Sequence, residues 1–262
     1  MIFTSPGEIA FSVFNYQIRW YGLFMFFAII SGILLVRFLS KCFYREYDED
    51  FLIDLSLVLV VSGIIGARLY YVLMDFGYYL RHPVEIFAIW QGGLSIHGAI
   101  LLAVISGGIF TVKKGFSFLK TADLFTFALV LGQMIGRWGN FFNSEAFGLP
   151  CDLPWKLYIP LDSRPLGYLF YDFFHPAFLY ESIGSGVILA VFLLLRFYFK
   201  EIKAGTIFFL YLILYSSLRM VIETIRIDSV LSFGPFHIAH IMSAVLILTG
   251  ITGLVWVNKR IN

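Results

Sequence analysis

Seven long apolar runs dominate the chain, at roughly 18–38, 52–74, 94–113, 121–138, 178–199, 205–224 and 236–257. Each matches the roughly 20 residues that a helix needs to cross a bilayer. No single soluble core of a 262-residue chain can hide so many: 60% of the residues are hydrophobic and 14% charged, against about half and a quarter in an ordinary soluble domain. The runs predict an all-α polytopic integral membrane protein with about seven transmembrane helices. No repeat or low-complexity linker interrupts them, so a single transmembrane domain over 1–262 is expected, with an extracytoplasmic loop region at about 139–177. The N-terminus "MIFTSPGEIAFSVFNYQ" lacks the basic start of a signal peptide and is expected to stay in the mature chain.

Basic residues orient the spans. Arg37, Lys41 and Arg45 follow the first, Lys113, Lys114 and Lys120 the third, and Arg196, Lys200 and Lys203 the fifth; Lys259 and Arg260 end the chain. The alternate loops are poorer, with Arg81 in one and Lys156 and Arg164 in the longest. This bias predicts an outside N-terminus and a cytoplasmic C-terminus. On that topology Cys42 and Cys151 face opposite sides and form no disulfide. A net charge of +2 gives no reason to expect nucleic acid.

The same orientation gathers polar residues at the outer face. Tyr21 opens span one, His97 opens span three, Arg137 closes span four, and Arg219 and Glu223 close span six. The segment "RHPVEIFAIWQGGLSIHG" reads as an amphipathic interfacial element with Trp90 at headgroup depth. In "GRWGNFFNSEAFG", Gly132 and Gly136 form a GxxxG pair that permits close helix approach. Arg137 reads either as a headgroup anchor or, beside Gly136, Gly139 and Asn140, as a bidentate phosphate ligand. Glu145 either orients Arg137 or structures the loop. Arg219 and Glu223 are four apart and read either as an ion pair on one helix face or as a functional pair, with Arg219 and Arg137 bracketing one phosphate; Arg226 is placed nearer the surface. Arg68 in "GARLYY" lies deeper and needs a partner, a carboxylate or a lipid phosphate.

Histidine is the side chain suited to move a proton near neutral pH, and His97 shares its face with the arginines. Ser95 lies two residues away, which on a helix points elsewhere, and no Gly-x-Ser-x-Gly elbow is present, so a Ser–His hydrolase is disfavoured. "HPAFLYE" places His175, Tyr180 and Glu181 before span five; His-Pro serves as loop-to-helix punctuation, and the roles of His175 and Glu181 stay open. His237 and His240 have metal-compatible spacing but no third ligand, and read as satisfied polar residues.

Taken together these blocks resemble the prolipoprotein diacylglyceryl transferase family. "GRWGNFFNSEAFG" is similar to the signature G-R-x-G-N-F-x-N-x-E-x-x-G. "IRWYG" at 18–22, "GAR" at 66–68, "WQGGLSIHG" at 90–98, "HPAFLYE" at 175–181 and R-x-x-x-E-x-x-R-x-D at 219–228 accompany it in order. The chain departs at Ser144, where glycine is usual, and at His240, where glutamine is expected, which leaves the last helix's role open. The resemblance implies transfer of the sn-1,2-diacylglyceryl group from phosphatidylglycerol to the lipobox cysteine of a prolipoprotein that still carries its signal peptide. Glycerol 1-phosphate leaves, in the bacterial plasma membrane, with no cofactor or metal implied.

The residues suit that chemistry. Arg137 and Arg219 would hold the phosphate and stabilise its charge as the C–O bond breaks. A free thiol has a pKa of about 8.5, so a base helps, and His97 is the candidate. Tyr21 and Asn140 would position ester or phosphate oxygens and Glu223 would fix Arg219, with Glu145, Gly148 and Arg68 completing the lipid site. The competing reading is a transporter that uses intramembrane charges; it predicts paired repeats and polar residues spread through the membrane depth. Neither is visible, Arg68 apart.

Overall fold

The computed structural model describes residues 2–14, 16–199, 201–227, 232–233 and 236–259, with the side chains of Gln91, Ser232, Phe233, Phe236 and His237 left aside. Of the positions read above, Lys200, Asp228 and Arg260, and the His237 side chain, lie outside this description.

Seven helices are long and apolar enough to cross a membrane. They are α1 (Trp20–Phe43), α2 (Glu49–Met74), α4 (Ile96–Lys113), α5 (Phe118–Phe142), α6 (Ala177–Tyr198), α7 (Thr206–Glu223) and α8 (Ile238–Lys259). A short helix, α3 (Phe76–Arg81), follows α2. In hydrocarbon every backbone N–H and C=O must be paired within the segment, which an uninterrupted apolar run achieves only as a helix. Large apolar side chains such as Leu57, Ile64, Leu101, Val187 and Leu248 stand exposed along the spans. Lipid covers such a surface at no cost; water would not.

Helix ends depart most from the sequence expectation at α1 and α5. Hydropathy falls off where polar residues gather, but the helix runs on until something breaks its hydrogen bonding. In α5 the break comes at Asn143–Ser144, where Ser144 adopts φ +52°. The loop expected from 139 therefore begins after Phe142, and Arg137 and Asn140 are helical. At α2 the start is chemically explicit: the Asp48 carboxylate accepts from the Phe51 N–H at 2.6 Å, and Glu49 and Asp50 occupy the first turn.

The chain divides into two compact units, residues 1–39 with 122–262, and residues 40–121. In the first, α8 packs on α7 where a Cβ at Gly250 would meet the Phe209 carbonyl oxygen at 2.8 Å and Ile213 Cγ1 at 2.6 Å. The Asp123 carboxylate of α5 accepts from the Gly205 and Phe208 N–H groups at 2.6 and 2.8 Å, capping the start of α7. The segment between α5 and α6 forms a small head. There β1 (Phe3–Thr4) pairs parallel with β4 (Leu157–Tyr158), which pairs antiparallel with β5 (Phe173–Phe174). Beneath it Phe141, Phe147, Leu157, Ile159, Phe174 and Phe178 form a buried cluster that seats the head on the ends of α5 and α6. A hairpin of β2 (Ile9–Val13) and β3 (Tyr16–Arg19) runs directly into α1. The chain is thus mostly helical, with short strands confined to connecting segments.

In the second unit α2 and α4 cross at a pair of glycines. A Cβ on Gly66 would collide with the Gly98 carbonyl oxygen, and one on Gly98 with that of Gly66. Only glycine at both positions lets the two backbones touch. The opposite end of this unit is held by stacked Tyr47 and Phe51 and by the Tyr47–Thr121 hydroxyl contact at 2.9 Å. Between α3 and α4 come two 3₁₀ turns, Pro83–Phe87 and Ile89–Gln91, which expose Val84, Phe87 and Trp90. That is the composition of an interfacial element.

Candidate functional site

The site of the first unit is a cluster of charges at one end of its helices. Glu181, on the second turn of α6, is its hub and its side chain is 1% exposed. One oxygen, Oε2, pairs with Arg137 of α5. The other, Oε1, accepts from Arg219 Nη1 at 3.0 Å and from Arg226 Nη1 at 3.3 Å. Arg219 turns its second nitrogen to Glu223, one turn further along α7, at 2.5 Å. Among the described residues, three guanidiniums thus meet two buried carboxylates. Arg137 and Arg219 keep 20% and 21% of their side chains exposed and Arg226 11%, so the carboxylate hub is buried while its two outer guanidiniums stay partly accessible.

The ends of the elements explain this convergence. Glu181 lies near the start of α6, Arg137 and Arg219 near the ends of α5 and α7, and Tyr21 at the start of α1. Antiparallel neighbours bring those ends to one side. The loop strand after α5 then sets the register. Gly148 N–H donates to the His175 carbonyl at 2.9 Å, His175 N–H to that of Leu149 at 3.0 Å, and Leu149 N–H to that of Ile225 at 2.7 Å. Residues 148–149 therefore tie the approach to α6 to the exit from α7, aligning Glu181 with Arg226. Gly148 has no room for a side chain: a Cβ would lie 2.9 Å from both His175 Cβ and the Ile225 oxygen.

Around the rim, Asn140 accepts from Arg137 Nη1 at 3.3 Å and donates to Glu145 Oε1 at 2.8 Å. Glu145 also accepts from Asn143 at 3.3 Å, so it organises the turn after α5, and Arg137 takes its carboxylate from Glu181. Tyr21 lies against Gly139, where a Cβ would meet its ring at 2.7 Å, and its hydroxyl is within electrostatic reach of Glu145 and Arg137. The close approach expected at Gly132 and Gly136 falls instead at Gly139: nothing lies within 4 Å of a Cβ at Gly132, and only Met25 Sδ at 3.9 Å at Gly136. Gly132, Gly136 and Gly139 share one face of α5, and the close contact falls where α1 places the Tyr21 ring.

Just outside, His175 Nδ1 lies 3.2 Å from the Tyr180 hydroxyl, which accepts from Trp155 Nε1 at 3.0 Å. Desolvation lowers the His175 pKa from its ordinary value, because a half-buried imidazole is held in its neutral form.

Two residues assigned to the site from sequence belong to the second unit. Arg68 is buried, but its partners are neither a carboxylate nor a phosphate. Nε donates to the Ile86 carbonyl at 2.9 Å, Nη1 to Gly92 and Gly93 at 2.8 and 3.0 Å, and Nη2 to Glu85 at 2.5 Å. The guanidinium sits over Tyr79 and Tyr71, 5.3 and 5.8 Å from their centroids. It is the core of the 85–93 loop. Gly93, at φ +74°, leaves the space: a Cβ there would lie 2.6 Å from Arg68 Nη1. His97 stands exposed in the first turn of α4, beside the Gly66–Gly98 crossing, with its ring 6.0 Å from that of Tyr70.

The first unit therefore brings together Tyr21, Arg137, Asn140, Glu145, Gly148, Arg219 and Glu223. It adds Glu181, whose role the sequence left open, and Arg226, which is deeper than the sequence suggested. A carboxylate within an apolar span was the signal for Glu181; nothing in the sequence tied it to three arginines. Among the described residues no group of three His, Cys, Asp or Glu is placed to hold a metal.

Such a cluster can bind an anionic oxygen group that reaches its partly accessible guanidiniums, which are planar donors suited to paired oxygens. Comparison with known proteins gives that chemistry a context. A family model described as prolipoprotein diacylglyceryl transferase matches residues 8–256. The chain is 46% identical over 265 residues to the phosphatidylglycerol–prolipoprotein diacylglyceryl transferase of Nostoc sp., covering 99% of this chain and 92% of that protein. It is 48% identical over 255 residues to the protein of the same name from Acaryochloris marina, covering 97% and 92%. The like-named Gloeobacter violaceus protein is 44% identical over 259 residues, covering 98% and 95%.

Proposed function

Because the chain belongs to the prolipoprotein diacylglyceryl transferase family, we propose that it moves the sn-1,2-diacylglyceryl group of phosphatidylglycerol onto the lipobox cysteine of a bacterial prolipoprotein. The observation that carries this reading is the half-open pair Arg137 and Arg219, converging on one carboxylate at the end of a lipid-embedded bundle. In the reaction the cysteine sulfur attacks the terminal glycerol carbon of the diacylglyceryl group. The carbon–oxygen bond to phosphate breaks, a thioether forms, and glycerol 1-phosphate leaves with the bonding electrons. Charge grows on the phosphate oxygens as that bond breaks, and guanidiniums fixed in a poorly hydrated site stabilise it without reorganising.

Asn140 and Tyr21 line the approach to the phosphate, and Glu223 fixes the second guanidinium nitrogen of Arg219. Gly148 keeps the backbone close enough for the cluster to assemble. Glu145 shapes the rim, and Arg68 supports the reaction by holding the 85–93 loop in shape. His97 is the candidate base for the thiol proton, on the strength of its imidazole and its position at the start of a span beside a rigid helix crossing. The site opens to the extracytoplasmic face of the plasma membrane, where the basic loops place the head, and the acceptor arrives still joined to its signal peptide.

The test is the purified full-length protein in vesicles of labelled phosphatidylglycerol with a lipobox peptide. Thioether-linked label on the peptide cysteine, with stoichiometric glycerol 1-phosphate, is the expected result. Solute flux across the same vesicles without lipid turnover would overturn the reading in favour of a transporter.

A further inference from the structure

The phosphate clamp has a component that touches no substrate in the proposed reaction. Arg137 and Arg219 come from different helices, 82 positions apart in sequence, and repel one another. What holds them at a common distance is the carboxylate of Glu181, which gives one oxygen to each. A carboxylate and a phosphate both present pairs of oxygens to planar donors. Guanidiniums that converge on the first are therefore already arranged to converge on the second. Arg226, the least exposed of the three, adds a second donor to the oxygen shared with Arg219 and ties Glu181 to the exit of α7.

We propose that Glu181 is a positioning residue for the phosphate site. It sets the spacing and direction of Arg137 and Arg219, and Arg226 anchors it while the phosphate competes for their donors. This rests on the reading of the cluster as the phosphate-binding site. Its consequence is that Glu181 does more than neutralise charge. A residue that only neutralised could be removed together with one arginine at no cost to the reaction. One that positions could not, because no other described carboxylate joins Arg137 to Arg219.

Three variants of the full-length membrane protein separate these possibilities: Glu181→Gln, Glu181→Asp, and Glu181→Gln with Arg226→Gln. The double variant removes one negative and one positive charge together, so the cluster keeps its net charge. Thermal stability and kcat/KM for labelled phosphatidylglycerol are measured for each. Glu181→Gln is expected to lose stability and to transfer lipid about 10²-fold more slowly, the scale of an ångström-level misplacement of a reacting group. The double variant is expected to regain stability yet stay similarly slow. Glu181→Asp, which keeps the charge on a shorter stem, should recover part of the rate. A double variant that recovers the wild-type rate would overturn the proposal, as would wild-type kinetics in Glu181→Gln. Absence of transfer by the wild-type protein would instead count against the transferase reading.

Discussion

A guanidinium in a lipid-spanning protein must find acceptors, and the arginines here find two kinds. Arg68 is satisfied by four backbone carbonyls and two tyrosine faces, and so belongs to the framework. Arg137 and Arg219 share a carboxylate and stay partly open, and so can accept a ligand. Replacing Arg137 with Gln is expected to lower lipid transfer by about 10²–10³-fold, the cost of removing one transition-state donor. The protein should still fold, because Glu181 keeps two guanidiniums; transfer of labelled phosphatidylglycerol and a melting curve check both halves. Ser144 carries a smaller signature. Its φ of +52° is a region that suits glycine, which accounts physically for the glycine usual there in the resembling signature. Ser144→Gly should raise stability by about 1 kcal/mol by relieving the left-handed strain, readable as a higher melting temperature. His175 sets a pH dependence. Its folded pKa is lowered by burial, so below the ordinary histidine value the unfolded chain binds more protons than the folded one. Stability is then full above that value and falls as pH drops through it, from about 6.5 downward. Melting temperatures measured across that range should decline, and the decline should be shallower in His175→Gln.

At the scale of elements, glycine decides where helices meet. Gly66 and Gly98 each occupy the space a side chain on the other would need, so α2 and α4 touch backbone to backbone. That crossing carries both Arg68, two residues along α2, and His97, next to Gly98. Gly98→Ala should force the helices apart and destabilise the protein by about 1–3 kcal/mol, the usual scale for overpacking. The measurement is a melting curve, with loss of lipid transfer alongside it. The GxxxG pattern in α5 shows the limit of motif reading: Gly132 and Gly136 satisfy the pattern, but Gly139 makes the contact with Tyr21. The three glycines share one face, so the pattern records spacing along one helix, while the contact depends on where along that face a neighbouring helix sets a large side chain.

At the scale of the whole molecule, the bias of Lys and Arg among the loops predicts that the head lies outside and the end of α1 inside. Two native cysteines report on this. Cys42 is exposed near the end of α1, and Cys151 is partly exposed in the head. In single-cysteine variants in intact spheroplasts, a membrane-impermeant maleimide should label Cys151. Cys42 should react only after permeabilisation, and the reverse pattern would invert the topology.

The sequence by itself determined the seven spans, because the need for about 20 apolar residues to cross a bilayer is a property of one stretch of chain at a time. It also supplied the residue types of the site, since Arg, Asn and Glu at the ends of apolar runs are costly enough to stand out. Tertiary structure alone decided how they are joined. Arg137, Arg219 and Arg226 lie 38 to 45 positions from Glu181 on either side, and no local rule selects that carboxylate over Glu145. It also showed Arg68 to be part of the framework, since its partners are carbonyls, which every residue carries and no sequence pattern marks. Helix ends and helix faces settle both, and those are set by packing among segments far apart in the chain.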